Sequence, residues 1–435
     1  MEYIESFIYI LIFILVCSSS KKKFSSLFNI QTIFTGIWTI FGIIAAFGVY
    51  GYRQPIFLVH FYAWTFLIIT NFVISKYSTK VGVPDIEVKV RTPLVILTQI
   101  ATVGLMAPKL AQSIVIFLAT GSLSDVRREF FFNKGDGYDN YVLDLLFGTI
   151  PYGLCFALIV YFAYLTFSRK KSYYLLFALF NSALMMIANG GRDGMFMILT
   201  ISLVILSYSN IYQKHKNSYT SNLKKVIIIA GVFLVGISLM RGTGNLSQSI
   251  VAYFSGSLSF FDYILANPKD YDMDGGYLYG YLIFGFITEP IVILLKVLGL
   301  TTIKIPSYYF NEYCQKFVDI SAPSSPIPLE LNNNTSVLFF FVRDSGFVGL
   351  VIGSLFYGFL VTYSLKQWTK GDHFWGAFHI YVCQTLMMSI MGYSLQGYSL
   401  IFTLITLRLL LPKDKKYAKK INIRNCPSIQ CGTIS

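Results

Sequence analysis

The sequence predicts an all-α polytopic integral membrane protein, a helical bundle of about 11 transmembrane helices. Apolar runs of about 20 residues, the length that crosses a bilayer core, alternate with short polar segments through most of the chain. Apolar residues make up 55% of the chain and charged residues only 13%, whereas soluble domains carry about 25% charged residues. Lys and Arg, moreover, concentrate in every second connecting segment.

Each predicted span is an apolar run bounded by charged or turn-forming residues. The spans cover residues 3–18, 30–50, 55–75, 93–119, 143–168, 172–189, 194–212, 226–240, 345–365, 373–392 and 396–411. The first run follows Glu2 and Glu5 and precedes a Lys triplet, the reverse of the charge order in a secretory signal. We therefore expect a retained span with the amino terminus outside. Residues 1–412 form one predicted transmembrane domain, followed by a basic cytoplasmic tail, 413–435.

The charge balance of the connecting segments predicts the orientation. The segments assigned to the cytoplasm carry 22 Lys and Arg against 4 acidic residues, and the segments assigned outside carry 11 against 17. Basic residues favour the cytoplasmic side of a membrane, so the carboxyl terminus is predicted to be cytoplasmic. The net charge of +14 reflects topology, and nucleic acid is not an expected partner because binding it needs one basic surface.

Residues 277–300 are apolar enough to cross the membrane, but a crossing there would place Lys366, Lys370 and the basic tail outside. We therefore expect an interfacial or re-entrant segment within one long outer loop, between the eighth and ninth spans. Glu289, Pro290 and Lys296 also interrupt a simple span.

Two long outer loops, 120–142 and 241–334, are rich in Tyr, Asn, Asp and Gly. Such side chains suit polar ligands such as sugars, and function tends to lie on loops. We expect the functional site on this side. The alternative is that the long loops only pack over the bundle.

The motif with the clearest chemistry is Asn-Gly-Gly-Arg-Asp-Gly at 189–194, where one span ends outside and the next begins. Gly190 and Gly191 allow the backbone to approach a ligand closely. Free amides at the start of the next helix, together with the Arg192 guanidinium, are suited to phosphate or pyrophosphate. The alternative is an ordinary tight turn with an interfacial Arg anchor.

Further charged residues are predicted near the same face. Arg241 directly follows an apolar run and precedes Gly242, a pattern that also suits helix capping. Arg127 and Arg128 lie in the first long loop, where an interfacial amphipathic turn explains them nearly as well. Arg343 and Asp344 are positioned to pair at the head of the ninth span, ahead of glycines that favour close helix packing.

Several motifs are missing from the chain. It contains no GxSxG, HExxH or Walker sequence, and no paired aspartates in a short outer loop. His60 is the one histidine of four expected in an outer half-span, so a histidine nucleophile is not expected. The six cysteines form no disulfide or metal pattern. We therefore expect neither a metal nor a cofactor.

Taken together, this arrangement resembles the bacterial O-antigen and capsule polymerases, the Wzy-type oligosaccharide repeat-unit polymerases. The similar features are the early outer loop around Arg127, the turn at 190–194, the outward Arg241, the long outer loop and the late span starting TSVLFFFVRDSGFVG. Ser345 departs from the pattern, since an aromatic residue is expected before the late glycine. The order of spans and loops is similar over most of the chain, and the motifs that resemble the family cover about 50 residues.

The resemblance implies transfer of a growing glycan from undecaprenyl pyrophosphate to the terminal sugar of another lipid-linked repeat unit, at the outer face of the cytoplasmic membrane. The expected partners are these lipid-linked donor and acceptor oligosaccharides, the lipid bilayer and a chain-length regulator membrane protein. Guanidinium groups neutralise a pyrophosphate leaving group without a metal, which favours Arg192 and Arg241. The base for the acceptor hydroxyl is Asp193, Glu289 or Asp344, which the sequence does not rank. The expected substrate-binding residues are Gly190, Gly191, Arg127, Arg128, Arg343 and Glu289.

Two other functions remain open at this point. An O-antigen ligase uses similar donors but would normally have a histidine in the large outer loop, and none occurs in 241–334. A lipid-linked oligosaccharide flippase or other transporter would show charged or broken helices near mid-membrane and repeated halves. The sequence shows no convincing repeat.

Overall fold

A computed structural model gives the fold of residues 1–24, 26–77, 88–129, 144–191, 193–212, 228, 231–232, 246–273, 275–306, 309, 318–323, 329–331, 335–395, 397 and 399–411. Within these residues nearly all regular structure is α-helical. The helices are α1 Glu2–Phe24, α2 Ile30–Ala46, α3 Phe57–Tyr77, α4 Thr92–Thr120, α5 Leu123–Arg128, α6 Ile150–Arg169, α7 Tyr174–Asn189, α8 Asp193–Tyr212, α9 Leu246–Phe254, α10 Gly256–Ala266, α11 Gly285–Val297, α12 Val337–Trp368, α13 His373–Met387 and α14 Ser399–Leu410.

Short elements complete the described chain. Three 3-10 turns occupy Val49–Gly51, Pro268–Tyr271 and Met388–Ile390, and a π-helical turn, Asp144–Thr149, leads into α6. Strands β1 (Val318–Asp319) and β2 (Glu330–Leu331) pair antiparallel.

The described helices confirm an all-α protein of the membrane-embedded type. Five of them are long and apolar enough to cross a membrane: α1, α3, α4, α12 and the helix Leu145–Arg169 that contains α6. Four shorter apolar helices lie within α2, α7, α8 and α14. Ten of the eleven predicted spans coincide with described helices, and the eighth, 226–240, lies largely outside the described residues. The count of eleven crossings and their orientation stay predictions.

Local sequence signals explain where several helices begin and end. Asn29 caps α2 by accepting a hydrogen bond from the Thr32 backbone N–H at 3.1 Å, an interaction typically worth about 1 kcal/mol. Asp372 caps α13 in the same way through Phe374 N–H. Gly121 terminates α4 with a φ of 69°, a left-handed conformation that glycine adopts without strain.

The centre of the bundle is formed by α3 packed along α12. At Gly358 an added Cβ would lie 2.7 Å from the Cβ of Val73, so the absence of a side chain lets the two helices approach closely. Large aromatic side chains, including Trp38, Phe66 and Tyr357, are buried around this contact. Nearby, α1 packs on α2 and α6 packs on α7 and α14.

The helix ends that were predicted to be cytoplasmic lie together. Lys23, in the last turn of α1, donates to the Ser75 carbonyl near the end of α3. Arg169, at the end of α6, donates to the Val88 carbonyl just before α4, at 2.7 and 3.0 Å. Basic side chains therefore satisfy carbonyl groups at one end of the bundle.

The segments that were predicted to be outer lie together at the opposite end. The backbone N–H of Arg53, between α2 and α3, donates to the Ile320 carbonyl at 2.8 Å. The Arg53 guanidinium also contacts the buried Asp262 of α10, with Nε to Oδ2 at 2.6 Å. The long segment after α8 is thereby attached to the short α2–α3 connection.

The predicted start of the ninth span is corrected by the structure. The prediction placed it at 345, but α12 begins at Val337 and contains a break at Ser345 and Gly346. Residues 337–342 lie on the amino-terminal side of the break. They are apolar and buried, so this part of the helix also packs inside the bundle. At the break Gly346 has a φ of 60°, which favours glycine, and an added Cβ would lie 3.0 Å from the Tyr277 hydroxyl oxygen, so a side chain at this position would be strained.

The apolar segment 277–300 forms turns followed by the short helix α11. At 1.5 Å per residue its 13 residues extend about 20 Å, less than the about 30 Å of a bilayer core. One face buries Gly285, Glu289 and Val292. The opposite face exposes apolar side chains at helical spacing, namely Ile287, Ile291, Leu294 and Leu298. Such a helix suits an interfacial position better than a crossing.

Candidate functional site

The predicted motif at 189–194 lies between α7 and α8, and we call residues 189–191 the glycine turn. Helix α7 ends at Asn189, and Gly190 follows with a φ of 59°. Gly191 is buried. Helix α8 then begins at Asp193, which leaves the first amides of a 20-residue helix at this end of the bundle.

Gly190 also permits a close approach by another part of the chain. An added Cβ would lie 2.7 Å from the Leu123 carbonyl oxygen and 2.9 Å from the Arg127 backbone nitrogen. These distances are shorter than real Cβ contacts, so helix α5 packs directly on the glycine turn only because residue 190 has no side chain. The structure thus brings together two motifs that the sequence presents about 60 positions apart.

Close packing continues just below the glycine turn. At Gly194 an added Cβ would lie 2.7 Å from the Ser182 carbonyl oxygen. The Ser182 hydroxyl donates to the Gly194 carbonyl. Helices α7 and α8 are therefore held together immediately beneath the turn that joins them.

Lys109 is a neighbour of the glycine turn that the sequence reasoning missed. Its ammonium lies 5.3 Å from the centroid of the Tyr152 ring, and the Tyr152 hydroxyl donates to the side-chain oxygen of Asn189. Lys109 was absorbed into the predicted span 93–119, where it is the single charged residue. That isolation is the signal that could have found it, since ionisable residues within apolar spans often mark functional sites.

A second group of apolar side chains supports the glycine turn from below. Met186 of α7, Met195 and Phe196 of α8, and Met388 after α13 form a buried cluster. Leu123 of α5 and the α9 residues Tyr253 and Phe254 pack against it. Both predicted outer loops therefore reach the same end of the bundle. We call Lys109, Arg127, Tyr152, Asn189 and Gly190 the glycine-turn corner.

Several predicted residues cannot be positioned within this corner. Arg192 and Arg241 lie outside the described residues. Asp193 is the first residue of α8 and Arg128 is the last residue of α5, and only their backbone positions are described. Their catalytic and binding roles stay predictions.

Asp344 lies elsewhere, in the first part of α12, and it holds the loop that leads to α11. Its carboxylate oxygens accept the backbone N–H groups of Gly280 at 2.6 Å and Leu282 at 2.9 Å. Its carbonyl oxygen accepts those of Leu278 at 2.7 Å and Tyr279 at 3.0 Å. We call Asp344 and residues 278–282 the carboxylate clamp. Because both of its oxygens already accept hydrogen bonds, this carboxylate holds the loop in place and is less available as a base.

Arg343 does not form the predicted ion pair with Asp344. Among the described residues its ion-pair partner is Asp272, with Nη2 to Oδ2 at 2.8 Å. Nη1 donates to the Gly276 carbonyl at 2.7 Å, and the ring of Tyr309 lies 5.4 Å from the guanidinium carbon. Arg343 is only 2% exposed. The physical reason is that Asp344 is already occupied by backbone amides, while the adjacent loop supplies a carboxylate and a carbonyl.

Glu289 is buried on the inner face of α11 and lies within electrostatic range of Tyr281. Burial, followed by the charges of Tyr309 and Glu289, raises the pKa of Tyr281 well above its ordinary value. The phenol therefore stays protonated, and it donates to the Lys304 carbonyl at 2.6 Å. The expected substrate-binding residue Glu289 thus belongs to the region of the clamp and not to the glycine-turn corner.

His60 lies deep between helices. It is fully buried, its Nδ1 is 3.2 Å from the Tyr9 hydroxyl, and its Nε2 is 3.7 Å from a carboxylate oxygen of Glu5. Within the part of the chain that the structure describes, no group of three or more His, Cys, Asp and Glu side chains could hold a metal ion.

No family model matches the sequence, and comparison with curated proteins and with solved structures gave no match either. The glycine-turn corner offers half-buried cations, closely packed backbone and helix-terminal amides, which together suit an anionic headgroup at the membrane boundary.

Proposed function

We propose that this chain is a metal-independent membrane glycosyltransferase. It would polymerise undecaprenyl-pyrophosphate-linked oligosaccharide repeat units into O-antigen or capsular polysaccharide on the outer face of the bacterial cytoplasmic membrane. The observation that carries the proposal is the close packing of α5 on the glycine turn, which needs the missing side chain of Gly190. A helix ending in two arginines and a turn followed by Arg192 thereby meet at one end of an apolar bundle.

The reaction requires charge neutralisation at the leaving group. The acceptor hydroxyl attacks the anomeric carbon of the donor glycan, the bond from that carbon to the diphosphate oxygen breaks, and the diphosphate keeps the electron pair. Arg192 and Arg241 are proposed to bind the diphosphate oxygens, because guanidinium groups match them in a bidentate geometry. Gly190 and Gly191 let the backbone approach, and Arg127 and Arg128 add positive charge nearby.

The acceptor proton must pass to a base. Of the three carboxylates that the sequence offers, Asp193 is the one in the chain next to Arg192, and it is our first choice. Both carboxylate oxygens of Asp344 already accept backbone hydrogen bonds, so we assign Asp344 a positioning role. Arg343 has the same kind of role, since Asp272 and Gly276 engage its guanidinium.

The test is the length of surface glycan in a deletion strain that carries single variants. Arg192→Ala and Arg241→Ala should each leave the protein level normal and reduce the glycan to a single repeat unit. Arg→Lys variants should also be poor if bidentate contact matters, because an ammonium is a point charge. Lys366→Ala is the matched control, because Lys366 is exposed in the last turn of α12. This variant should keep long glycan chains.

Persistence of long glycan chains in both arginine variants would refute this function. A strain without the protein should accumulate single repeat units on the outer side of the membrane.

A transporter of lipid-linked oligosaccharides is the second candidate, and one observation favours it. Glu5 is 3% exposed and His60 is fully buried within the bundle, and intramembrane ionisable residues often belong to transport pathways. A transporter defect would trap single repeat units inside, so the side on which they accumulate separates the two functions.

A further inference from the structure

Lys109 is the only Lys, Arg, Asp or Glu in the apolar stretch 93–119. A charge within the apolar part of a transmembrane helix is unfavourable and often functional. Helix α4 also contains Pro108, which removes one backbone hydrogen bond next to this charge. Two unfavourable residues side by side in an otherwise apolar helix indicate a specific use.

The helical phase of α4 directs Lys109 into the bundle. At 100° per residue, Lys109 lies on the same face as the buried residues Thr102, Met106 and Ser113. The opposite face exposes Ile114, Val115 and Leu118 at 48%, 66% and 77%, as expected for contact with lipid. The ammonium therefore belongs to the protein interior and not to the lipid-facing surface.

The depth of Lys109 follows from contacts one turn further along α4. The Ser113 hydroxyl donates to the Ala188 carbonyl at 3.2 Å, so Ser113 lies level with the end of α7. Lys109 is one turn inside that level, beside Tyr152 at 5.3 Å. Tyr152 in turn binds Asn189 of the glycine turn. A four-carbon Lys stem can extend its ammonium toward the outer end of α7 from this depth.

We propose that Lys109 binds the diphosphate headgroup of a polyprenyl-linked substrate at the glycine-turn corner. This assignment rests on the proposed function and adds one residue to its diphosphate-binding site. Three observations support it: the inward phase of the helix, the level of Lys109 just inside the glycine turn, and the contact through Tyr152 to Asn189. Polyprenyl tails lie in the apolar layer and their diphosphates at its boundary, and a Lys stem one turn inside the end of α7 is long enough to extend its ammonium toward that level.

The experiment uses full-length protein in phosphatidylcholine nanodiscs with farnesyl diphosphate as the probe. Lys109→Gln should weaken its binding by about 10-fold or more, since a hydrogen bond to a charged group is worth about 1.5–3 kcal/mol. Lys109→Arg keeps the charge and should retain most of the affinity. Lys366→Gln is the matched control, because it removes a cation at the opposite end of the bundle and should leave binding unchanged.

Two competitors identify what the ammonium recognises. Inorganic pyrophosphate should displace the probe from the wild type and much less from Lys109→Gln, which shows that the headgroup is recognised. Farnesol should bind weakly and equally to both. Equal affinity of wild type and Lys109→Gln for farnesyl diphosphate, or equal binding of farnesol and farnesyl diphosphate to the wild type, would overturn the proposal.

A folding defect is handled by a second variant. Lys109→Met removes the charge but suits an apolar helix, and it should show the same weakening of binding. If neither neutral variant folds, Lys109 is a structural residue and the proposal is wrong. If Lys109→Gln loses the probe but keeps long glycan chains, the binding site stands and the polymerase function fails, so the two failures are distinguishable.

Discussion

The glycine-turn corner and the carboxylate clamp are both charged regions that the sequence placed on the outer face, yet they use charge differently. In the clamp, Asp344 is fully buried and Arg343 is 2% exposed. Both carboxylate oxygens of Asp344 and both terminal nitrogens of Arg343 are hydrogen-bonded to the neighbouring loop. In the corner, Lys109 and Arg127 are half-buried and lie beside a turn whose glycine admits another helix. A charged pair next to glycines in a sequence therefore does not show whether the pair holds the fold together or lies at a ligand site.

The difference between the two regions is explained by what surrounds the charge. A buried carboxylate must be matched by donors, and the loop after α10 supplies four backbone amides to Asp344. The corner is formed by Lys109 within α4, Arg127 of α5, the start of α6 and the end of α7, next to the start of α8. The first backbone amides of a helix have no partner within the helix, and this is the feature on which the proposed ligand site at the corner depends.

The largest effect is expected from Asp344→Asn, which tests the clamp. The amide keeps one acceptor but presents an N–H₂ group to a backbone N–H, and each buried donor left without an acceptor costs about 1–3 kcal/mol. We expect a clear loss of thermal stability and a lower yield of folded protein in detergent. Asp270→Asn, at an exposed position in the same loop, should leave the melting temperature unchanged. A fully stable Asp344→Asn protein would show that the clamp does not hold the fold.

An intermediate effect is expected from Gly190→Ala, which tests the corner. The substitution has two costs, since φ is 59° and the new Cβ would lie 2.7 Å from the Leu123 carbonyl oxygen. Binding of farnesyl diphosphate and glycan length should both fall sharply. Gly121→Ala is the matched control, with a φ of 69° and nothing within 4 Å of its Cβ.

Gly121→Ala should lose only about 1–2 kcal/mol of stability, the cost of a side chain in the left-handed conformation. It should keep farnesyl diphosphate binding and long glycan chains. Equal behaviour of the two alanine variants would mean that the approach of α5 to the glycine turn has no functional importance.

The smallest effect is expected from Arg127→Gln. A half-exposed cation is screened by water and salt, and exposed charge pairs contribute about 0–1 kcal/mol. Binding of farnesyl diphosphate at low ionic strength should weaken by at most about 5-fold, as that energy range implies, and the difference should vanish at high salt. Isothermal titration at two salt concentrations measures this. A loss as large as that expected for Lys109→Gln, or one that salt does not reduce, would place Arg127 in the same interior site.

Much of the fold was predictable because a bilayer imposes simple rules. Length and apolar content identified the runs that became α1, α3, α4, α6 and α12, since each must satisfy its own backbone hydrogen bonds in lipid. The predicted start of the ninth span, 345, coincides with the break at Ser345 and Gly346. The helical part before the break, which begins at Val337, was not predicted, because an apolar run alone does not show whether it forms a helix or part of a loop. Lys109 was not predicted as a site residue because one charge barely changes the mean hydropathy of a long apolar stretch.

The sequence alone determined the all-α membrane class and the approximate helix boundaries, because these depend on local composition and on hydrophobic length. Only the tertiary structure decided that Arg343 binds Asp272 and that α5 lies on Gly190. It also decided that Lys109 reaches the glycine turn through Tyr152. These contacts join residues about 40–80 positions apart in the sequence. They depend on how the helices pack together, which no short segment of the chain specifies.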